Sequence, residues 1–318
     1  MSVSPGAVKR TDLYRASLWT RLKRCWTLYL FLLLPVAYVL LYHYYPMYGS
    51  IIAFKDFKAG RGILGSEWVG LKHFDRFFRD YQFSRIIINT ITISLYNLVA
   101  SFPVTIIAAL SINAVREARF RKTVQMITYM PHFISTVVMV GILAQMFSPK
   151  IGILSILLQA LTGSTRDVLG MPTAFTHLYV WSGLWQNVGW GTIIYVAALA
   201  GVDPSQHEAA IIDGANRVQR MWHIEIPAII PTAVILLIMN AGAIMNVGFE
   251  KSFLMQNNLN LSASEVISTY VYKRGIGGTG KSDFSYAAAI GLFNSVINFV
   301  LVISVNQISK FLKQEALW

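Results

Sequence analysis

The chain has 318 residues, of which 55% are hydrophobic and only 13% are charged. Soluble domains carry about 25% charged residues, so this composition excludes an ordinary soluble domain. The formal net charge is +12, which we interpret as cationic flanks of membrane segments that contact anionic lipid, and not as a nucleic-acid surface.

Six stretches of the chain contain no Asp, Glu, Lys or Arg, and each is at least 24 residues long. A helix needs about 20 apolar residues to cross a bilayer, and a backbone in hydrocarbon must satisfy its own hydrogen bonds. The sequence therefore predicts an all-α, polytopic membrane protein with six transmembrane helices. The charge-free windows are 25–54, 86–115, 123–149, 168–202, 226–249 and 284–309.

The first window follows a basic segment, residues 1–24, which we expect to be cytoplasmic. A basic run before an apolar run is typical of a signal peptide, but this window is too long and no small-residue cleavage site follows it. We therefore expect 25–54 to be a retained transmembrane helix, kinked near Pro35.

The rest of the chain divides into loops and a core. Residues 55–85 are expected to form an external loop, structured because it contains several glycines and Trp68. A core transmembrane domain of five helices is expected over 86–309, including a cytoplasmic loop at 203–227. Residues 310–318 are expected to form a cytoplasmic tail.

The orientation follows from charge density. Six crossings place both termini on one side, where the segments hold 14 cations against 13 on the other, so the totals do not decide. The cations are denser in residues 1–24 and near 116–122, and such dense flanks favour the cytoplasm. The sequence therefore predicts that both termini are cytoplasmic.

A distinctive loop, DPSQHEAAIIDGANRVQRMWHIEIPAIIP, occupies residues 203–231. Asp203 is a good helix N-cap and Pro204 suits the first helical position. Gly214 tolerates the left-handed conformation that ends a helix, and a second short amphipathic helix is predicted over 218–224. The loop predicts a helix–turn–helix bracket on the cytoplasmic surface, with an ordinary interfacial helix as the alternative.

The bracket contains a spaced motif. It reads Glu-Ala-Ala from Glu208, then three residues, Gly214, nine residues, and Ile224-x-x-Pro227. This spacing resembles the EAA loop of ABC importer permeases, with one departure at Ile226, where the family usually has Leu. The ATPase-coupling residues that the resemblance assigns are Glu208, Ala209, Ala210, Asp213, Gly214, Ile224 and Pro227.

The resemblance implies the ABC importer permease fold and a set of partners. The bracket would be the coupling helix that docks into a cytoplasmic ATPase subunit, with Glu208 as the charged contact and Gly214 as the hinge. Two ATP-binding subunits, a second permease subunit in a heterodimer and a periplasmic or lipoprotein solute-binding protein would complete the system in the bacterial inner membrane. This chain would bind no cofactor, because ATP and Mg²⁺ belong to the ATPase subunits.

Three further segments resemble the carbohydrate-importer branch of that family. They are NVGFEKSFLMQN at 246–257, SEVISTYVYKRG at 264–275 and the last window with its flanks at 285–310. The pattern is similar to permeases for complex oligosaccharides, among them uronates of the alginate and pectin type. The resemblance implies oligosaccharide import and leaves the sugar open.

Polar and aromatic side chains in the last three windows are candidates for a substrate path. Polar residues inside membrane helices are costly and usually face a bundle interior, while amides suit sugar hydroxyls and Trp faces suit sugar rings. The alternative is that the amides join helices to one another. We expect Glu250 and Lys251 at the external mouth of the path, or at a solvated helix end. The path candidates are Trp185, Gln186, Asn187, Trp190, Asn240, Asn246, Asn294 and Asn298, with Trp181 beside them.

Motifs of catalysis and metal binding are absent from the sequence. There is no H-E-x-x-H, G-x-S-x-G or Cys/His metal spacing, so we expect a transport subunit without a catalytic or metal site of its own. The alternative is a self-sufficient secondary transporter or channel for a polar solute. That alternative predicts carboxylates inside the helices for ion coupling, and the charge-free windows contain none.

One string, GIGGTGKS at 275–282, satisfies the P-loop pattern. A P-loop joins a buried strand to a helix in a soluble nucleotide domain, whereas this string comes directly before the last apolar window. We interpret it as a glycine-rich external turn and not as a nucleotide site.

Overall fold

The computed structural model of the protein describes residues 26–163, 167–277 and 282–311, and these are overwhelmingly helical. Residues 1–24, the tail beyond 311 and Lys281 of the glycine-rich string lie outside the described ranges. The α-helices are α1 (Trp26–Val39), α2 (Tyr45–Met47), α3 (Gly62–Gly65), α4 (Lys72–Phe78), α5 (Phe83–Asn113), α6 (Ala118–Tyr129), α7 (Thr136–Met146), α8 (Ile153–Thr162), α9 (Pro172–Ala200), α10 (Pro204–Ile212), α11 (Arg217–Arg220), α12 (Ile226–Gly242), α13 (Phe249–Met255), α14 (Leu261–Ser264), α15 (Ile267–Tyr272) and α16 (Phe284–Phe311).

Tighter and wider helical turns connect several of these helices. Short 3₁₀ turns span Tyr48–Phe54, Ala59–Arg61 and Met130–Phe133, and π turns span Leu40–Tyr44, Met221–Glu225 and Lys273–Gly277. The prediction of an all-α fold needs one small correction, because β1 (Lys55–Asp56) and β2 (Glu67–Trp68) form an antiparallel two-stranded ladder. In that ladder Lys55 lies opposite Trp68.

Within the described residues, four helical stretches are long and apolar enough to cross a membrane, and a bent pair makes a fifth if its two halves are counted as one span. The four stretches are Trp26–Phe54, Phe83–Asn113, Arg217–Gly242 and Phe284–Phe311. The structure thus supports four or five crossings by length and composition, fewer than the six predicted.

The bent pair begins five residues before the third charge-free window and covers most of it. Its halves, Ala118–Phe133 and Thr136–Met146, meet at an angle of 95°. Pro131 lies in the 3₁₀ turn that ends the first half, and the side chain of Ser135 caps the second half by accepting a hydrogen bond from the Val138 N–H. Proline cannot donate to a helical ladder and a serine cap starts a new helix, so local chemistry breaks this window.

The fourth window forms α9, which has 29 residues and is long enough to cross. It is less apolar than the four stretches above, because it carries tryptophans and amides along its length. Its buried side chains and its pairing with α5 place it at the centre of the fold.

The core runs along α5 as three successive clusters. Ile86, near the start of α5, belongs to the first cluster, Ile93 to the second, and Leu110 near the end to the third. By contrast, α1 buries no residue, so the first helix lies at the periphery. Close helix approach is visible where a Cβ at Gly189 would overlap the carbonyl of Thr128, as expected for small residues between membrane helices.

Candidate functional site

The bracket between α9 and α12 has the local structure that the sequence predicts. The side chain of Asp203 accepts a hydrogen bond from the Ser205 N–H at 2.9 Å, and Pro204 opens α10. Gly214 has φ of +80°, a conformation in which an L side chain is strained. Asn216 then caps α11 in a capping box with Gln219.

One expectation about the bracket needs correction. The second short helix, predicted over 218–224, is α-helical over Arg217–Arg220 and continues through the π turn into α12, so that Arg217–Gly242 is one apolar stretch. The span therefore begins ten residues before Pro227, and the π turn at Met221–Glu225 lies just before this proline, which has no N–H to donate to the helical ladder.

The bracket presents a mixed surface to solvent. No residue of α10 is buried, Glu208 is exposed, and Ile212 and Trp222 are 85% and 60% exposed. A cavity of about 290 Å³ lies between its helices, and four motif residues line it: Ala210, Asp213, Gly214 and Ile224. Glu208, Ala209 and Pro227 do not line this cavity.

A larger cavity lies between five elements of the core. Its volume is about 760 Å³, within the usual range for small-molecule sites. Polar side chains reach it from α5, the bend, α9, α12 and α13. They are Asn97, Ser101, Thr105, His132, Ser135, Thr136, Tyr179, Gln186, Asn187, Asn240, Glu250 and Lys251. A second cavity of about 190 Å³ shares Asn97, Ser101, Tyr179 and Asn240 with it and adds Asn246.

Three predicted path residues line the larger cavity. Gln186 is buried and donates from Nε2 to the carbonyl of Ile134 at 2.7 Å. Asn187 donates to the carbonyl of Gly183 at 2.9 Å, and its Oδ1 lies 3.0 Å from Nδ1 of His132. Asn240 donates to the carbonyl of Leu236 on its own helix.

Three other predicted amides bond to one another. Oδ1 of Asn246 accepts hydrogen bonds from Nδ2 of Asn294 at 2.9 Å and of Asn298 at 3.0 Å. Oδ1 of Asn298 accepts from the Met245 N–H at 3.1 Å. The cluster ties α16 to the segment after α12, and neither Asn294 nor Asn298 lines the two cavities.

The predicted tryptophans lie outside both cavities. Trp181, Trp185 and Trp190 are each about half exposed. Trp181 donates from Nε1 to the hydroxyl of Tyr96 at 2.8 Å. Trp190 stacks on His132, with ring centroids 4.4 Å apart.

Sequence reasoning missed several lining residues. Asn97, Ser101 and Thr105 follow each other at helical spacing on α5, and that spacing is the signal that could have found them. His132 and Ser135 lie at the bend, where the sequence predicts one uninterrupted transmembrane helix. Lys251 is not at a solvated helix end, since it is only 9% exposed.

A comparison with protein families identifies the chain. A model described as the binding-protein-dependent transport system inner membrane component matches residues 101–314. The chain belongs to this family. It is therefore a multi-pass permease component of a transport system that depends on a binding protein. No group of His, Cys, Asp and Glu in the described parts of this permease is placed to hold a metal ion.

Curated relatives and solved structures agree with this assignment. The permease is 41% identical to Protein LplB of Bacillus subtilis (strain 168), over 93% of this chain and 92% of LplB. It is 40% identical to the polygalacturonan/rhamnogalacturonan transport system permease protein YteP of the same organism, over 92% of this chain and 90% of YteP.

The solved structures extend the similarity to three dimensions. A chain of a bacterial ABC transporter involved in alginate import matches with a TM-score of 0.84 and 36% identity, over 92% of this permease and 98% of that chain. A second match is a chain of the bacterial alginate ABC transporter in complex with alginate pentasaccharide-bound periplasmic protein. Its TM-score is 0.85 and its identity is 35%, over 94% of this permease and 99% of that chain.

Proposed function

We propose that this permease forms half of the translocation path of an ATP-driven importer for oligosaccharides, with uronate oligosaccharides as the substrate class. The observation that carries the proposal is the similarity over nearly the whole chain to YteP and to an alginate importer chain. The larger cavity supports it, because amides and hydroxyls from five elements suit the many donors and acceptors of a sugar.

Six crossings follow if the bent pair and α9 are counted with the four apolar stretches. This count places both termini and the bracket on one side, which we assign to the cytoplasm. The larger cavity would then lie on the path between the two sides, and the loop with β1 and β2 would be external.

The bracket is proposed to dock on a cytoplasmic ATPase subunit. Its exposed Glu208 supplies the charged contact, its exposed apolar side chains fill a cleft, and Gly214 lets the chain reverse between α10 and α11. The continuity of α11 with α12 supports force transmission into the core. ATP and Mg²⁺ would bind to two ATPase subunits, and this chain would have no catalytic site of its own.

The complex would also contain a second permease subunit and a solute-binding protein. The tagged chain, purified from its native membrane, should bring down a second permease and an ATPase. Reconstituted with the binding protein, this complex should hydrolyse ATP faster when a uronate oligosaccharide is added. Transport by the isolated chain without ATP would contradict the proposal and favour a secondary transporter or channel.

A further inference from the structure

Lys251 is a buried cation at the wall of the larger cavity. It is 9% exposed and is among the residues that line the cavity. Its Nζ donates a hydrogen bond to the backbone carbonyl of Tyr179 at 2.6 Å and lies 4.5 Å from the centroid of the Tyr179 ring. The ammonium is therefore held beside α9.

The surrounding backbone leaves space for this ammonium. A Cβ on Gly183, one helical turn beyond Tyr179, would lie 2.9 Å from Nζ. On the other side, Lys251 belongs to α13, whose Ser252 and Met255 are buried and fix the helix against the core. Tyr179 and Gly183 lie seven and eleven residues from the start of α9, roughly 10–16 Å along its axis.

The charge of Lys251 has no counter-ion in the described parts of the chain. No carboxylate there forms an ion pair with it, although Glu250 lines the same cavity. An ammonium has three donors, and the Tyr179 carbonyl is the hydrogen-bond acceptor identified for it. Burial lowers the pKa of Lys251 to about 7, because a buried cation without an anion is costly.

We propose that Lys251 is the residue of the translocation cavity that binds the carboxylate of an acidic saccharide. The inference rests on the proposed function, since it takes the cavity to be the path. Donors of the ammonium would face the carboxylate, while Asn187, Ser135 and Glu250 around the same cavity suit hydroxyl groups. A charge-assisted hydrogen bond in such a site is stronger than a neutral one, so the cavity would favour acidic over neutral sugars.

A purely structural role is the competing explanation. The hydrogen bond to Tyr179 joins α13 to α9, and its loss would weaken the fold for every substrate alike. The two roles therefore differ in selectivity: an anion site distinguishes an acidic sugar from its neutral ester, whereas a structural contact does not.

The test is import of two matched probes by the reconstituted complex with its native partners. The probes are trigalacturonate and its fully methyl-esterified, neutral form, each first shown to bind the solute-binding protein. Lys251→Met should lower import of trigalacturonate about tenfold or more and leave import of the ester within about twofold. Lys251→Arg should retain acidic import, and Lys72→Met, which removes an exposed cation outside the cavity, should change neither.

A second variant covers the case in which Lys251→Met fails to assemble. Gly183→Ala keeps the charge but puts a methyl group where the ammonium lies, so it should lower acidic import selectively. An equal loss of both probes in Lys251→Met and Gly183→Ala, or no loss, would overturn the inference. Import of the ester alone by the unaltered complex would overturn the inference and leave oligosaccharide transport standing. If the unaltered complex imported neither probe, both the inference about Lys251 and the proposed function would be overturned.

Discussion

The hydroxyl of Tyr270 donates a hydrogen bond to Oδ2 of Asp80 at 2.6 Å, joining two segments that lie 190 residues apart. Tyr286 donates to the same oxygen at 3.0 Å, and Arg274 lies 4.0 Å from it. Oδ1 of Asp80 accepts from the Gln82 N–H. This carboxylate therefore connects the start of α5 with α15 and the start of α16.

Removal of the Asp80 carboxylate should destabilise the permease. Asp80→Ala leaves two tyrosine hydroxyls without their acceptor, so we expect the free energy of unfolding to fall by about 2–4 kcal/mol. The apparent melting temperature of the purified complex in detergent measures this loss of stability. Asp75→Ala is the matched control, because the ion pair that Asp75 forms within the described residues is an exposed one with Arg79, worth about 1 kcal/mol or less. Equal losses in the two variants would contradict the role of Asp80.

The stabilisation by Asp80 should depend on pH in a defined direction. Burial alone would raise the pKa of Asp80, but hydrogen bonds from Tyr270, the Gln82 N–H and Tyr286, with the charge of Arg274, hold it below its ordinary value of 3.8. The contribution is therefore complete above pH 3.8 and is lost as the pH falls through the lower value in the folded protein. The difference in melting temperature between the unaltered protein and Asp80→Asn should stay constant between neutral pH and about pH 5. A difference that already shrinks in that range would contradict the lowered pKa.

The conformation of Gly214 gives a prediction for the bracket. A β-branched side chain is strained at φ of +80°, whereas asparagine tolerates the left-handed region. Gly214→Val should therefore reduce ATP-driven import about tenfold or more, and Gly214→Asn should retain most of it. Import into proteoliposomes measures the effects of both substitutions. Equal activity of the two variants would show that the reversal at Gly214 is not required.

Charge reversal at Glu208 tests the docking of the bracket. Glu208→Lys should lower import about tenfold or more, since a desolvated charge that loses its partner at an interface is costly. The ATPase subunit should co-purify less with this variant. Gln206→Lys also introduces a lysine, two residues earlier on the same exposed helix, and should have a smaller effect. Loss of co-purification in both variants would indicate a general charge effect and not a contact of Glu208.

Substitution of two asparagines distinguishes a residue that lines the cavities from a residue that joins two segments of the fold. Asn298→Ala breaks two bonds between segments and should lower the free energy of unfolding by about 1–3 kcal/mol. Asn240→Ala breaks only a bond within its own helix, so its effect on melting should be small while import falls, because Asn240 lines both cavities. If instead Asn298→Ala lowered import and Asn240→Ala lowered the melting temperature, the substrate path would lie beside Asn298.

Local chemistry in the sequence determined the class of protein and the bracket. Windows without charge predict membrane helices because a bilayer penalises each buried charge, and Asp203, Pro204 and Gly214 predict the bracket because caps and turns depend on neighbouring residues. The EAA spacing pointed to the family by resemblance, and the match of residues 101–314 to the family model confirmed it. The break in the third window also has a local signal in the sequence, Pro131 and Ser135. The prediction of one continuous helix followed the long apolar run and did not use this signal.

The tertiary structure decided which polar residues meet. Helical spacing places Asn294 and Asn298 on one face, but only the fold shows that both bond to Asn246 and that neither lines the larger cavity. The burial of Lys251 is likewise invisible in the chain, where it follows a charge-free window as a helix-end cation would. Its neighbours Tyr179 and Gly183 lie about 70 residues earlier. Such contacts arise from the packing of whole helices, and no local pattern of residues specifies them.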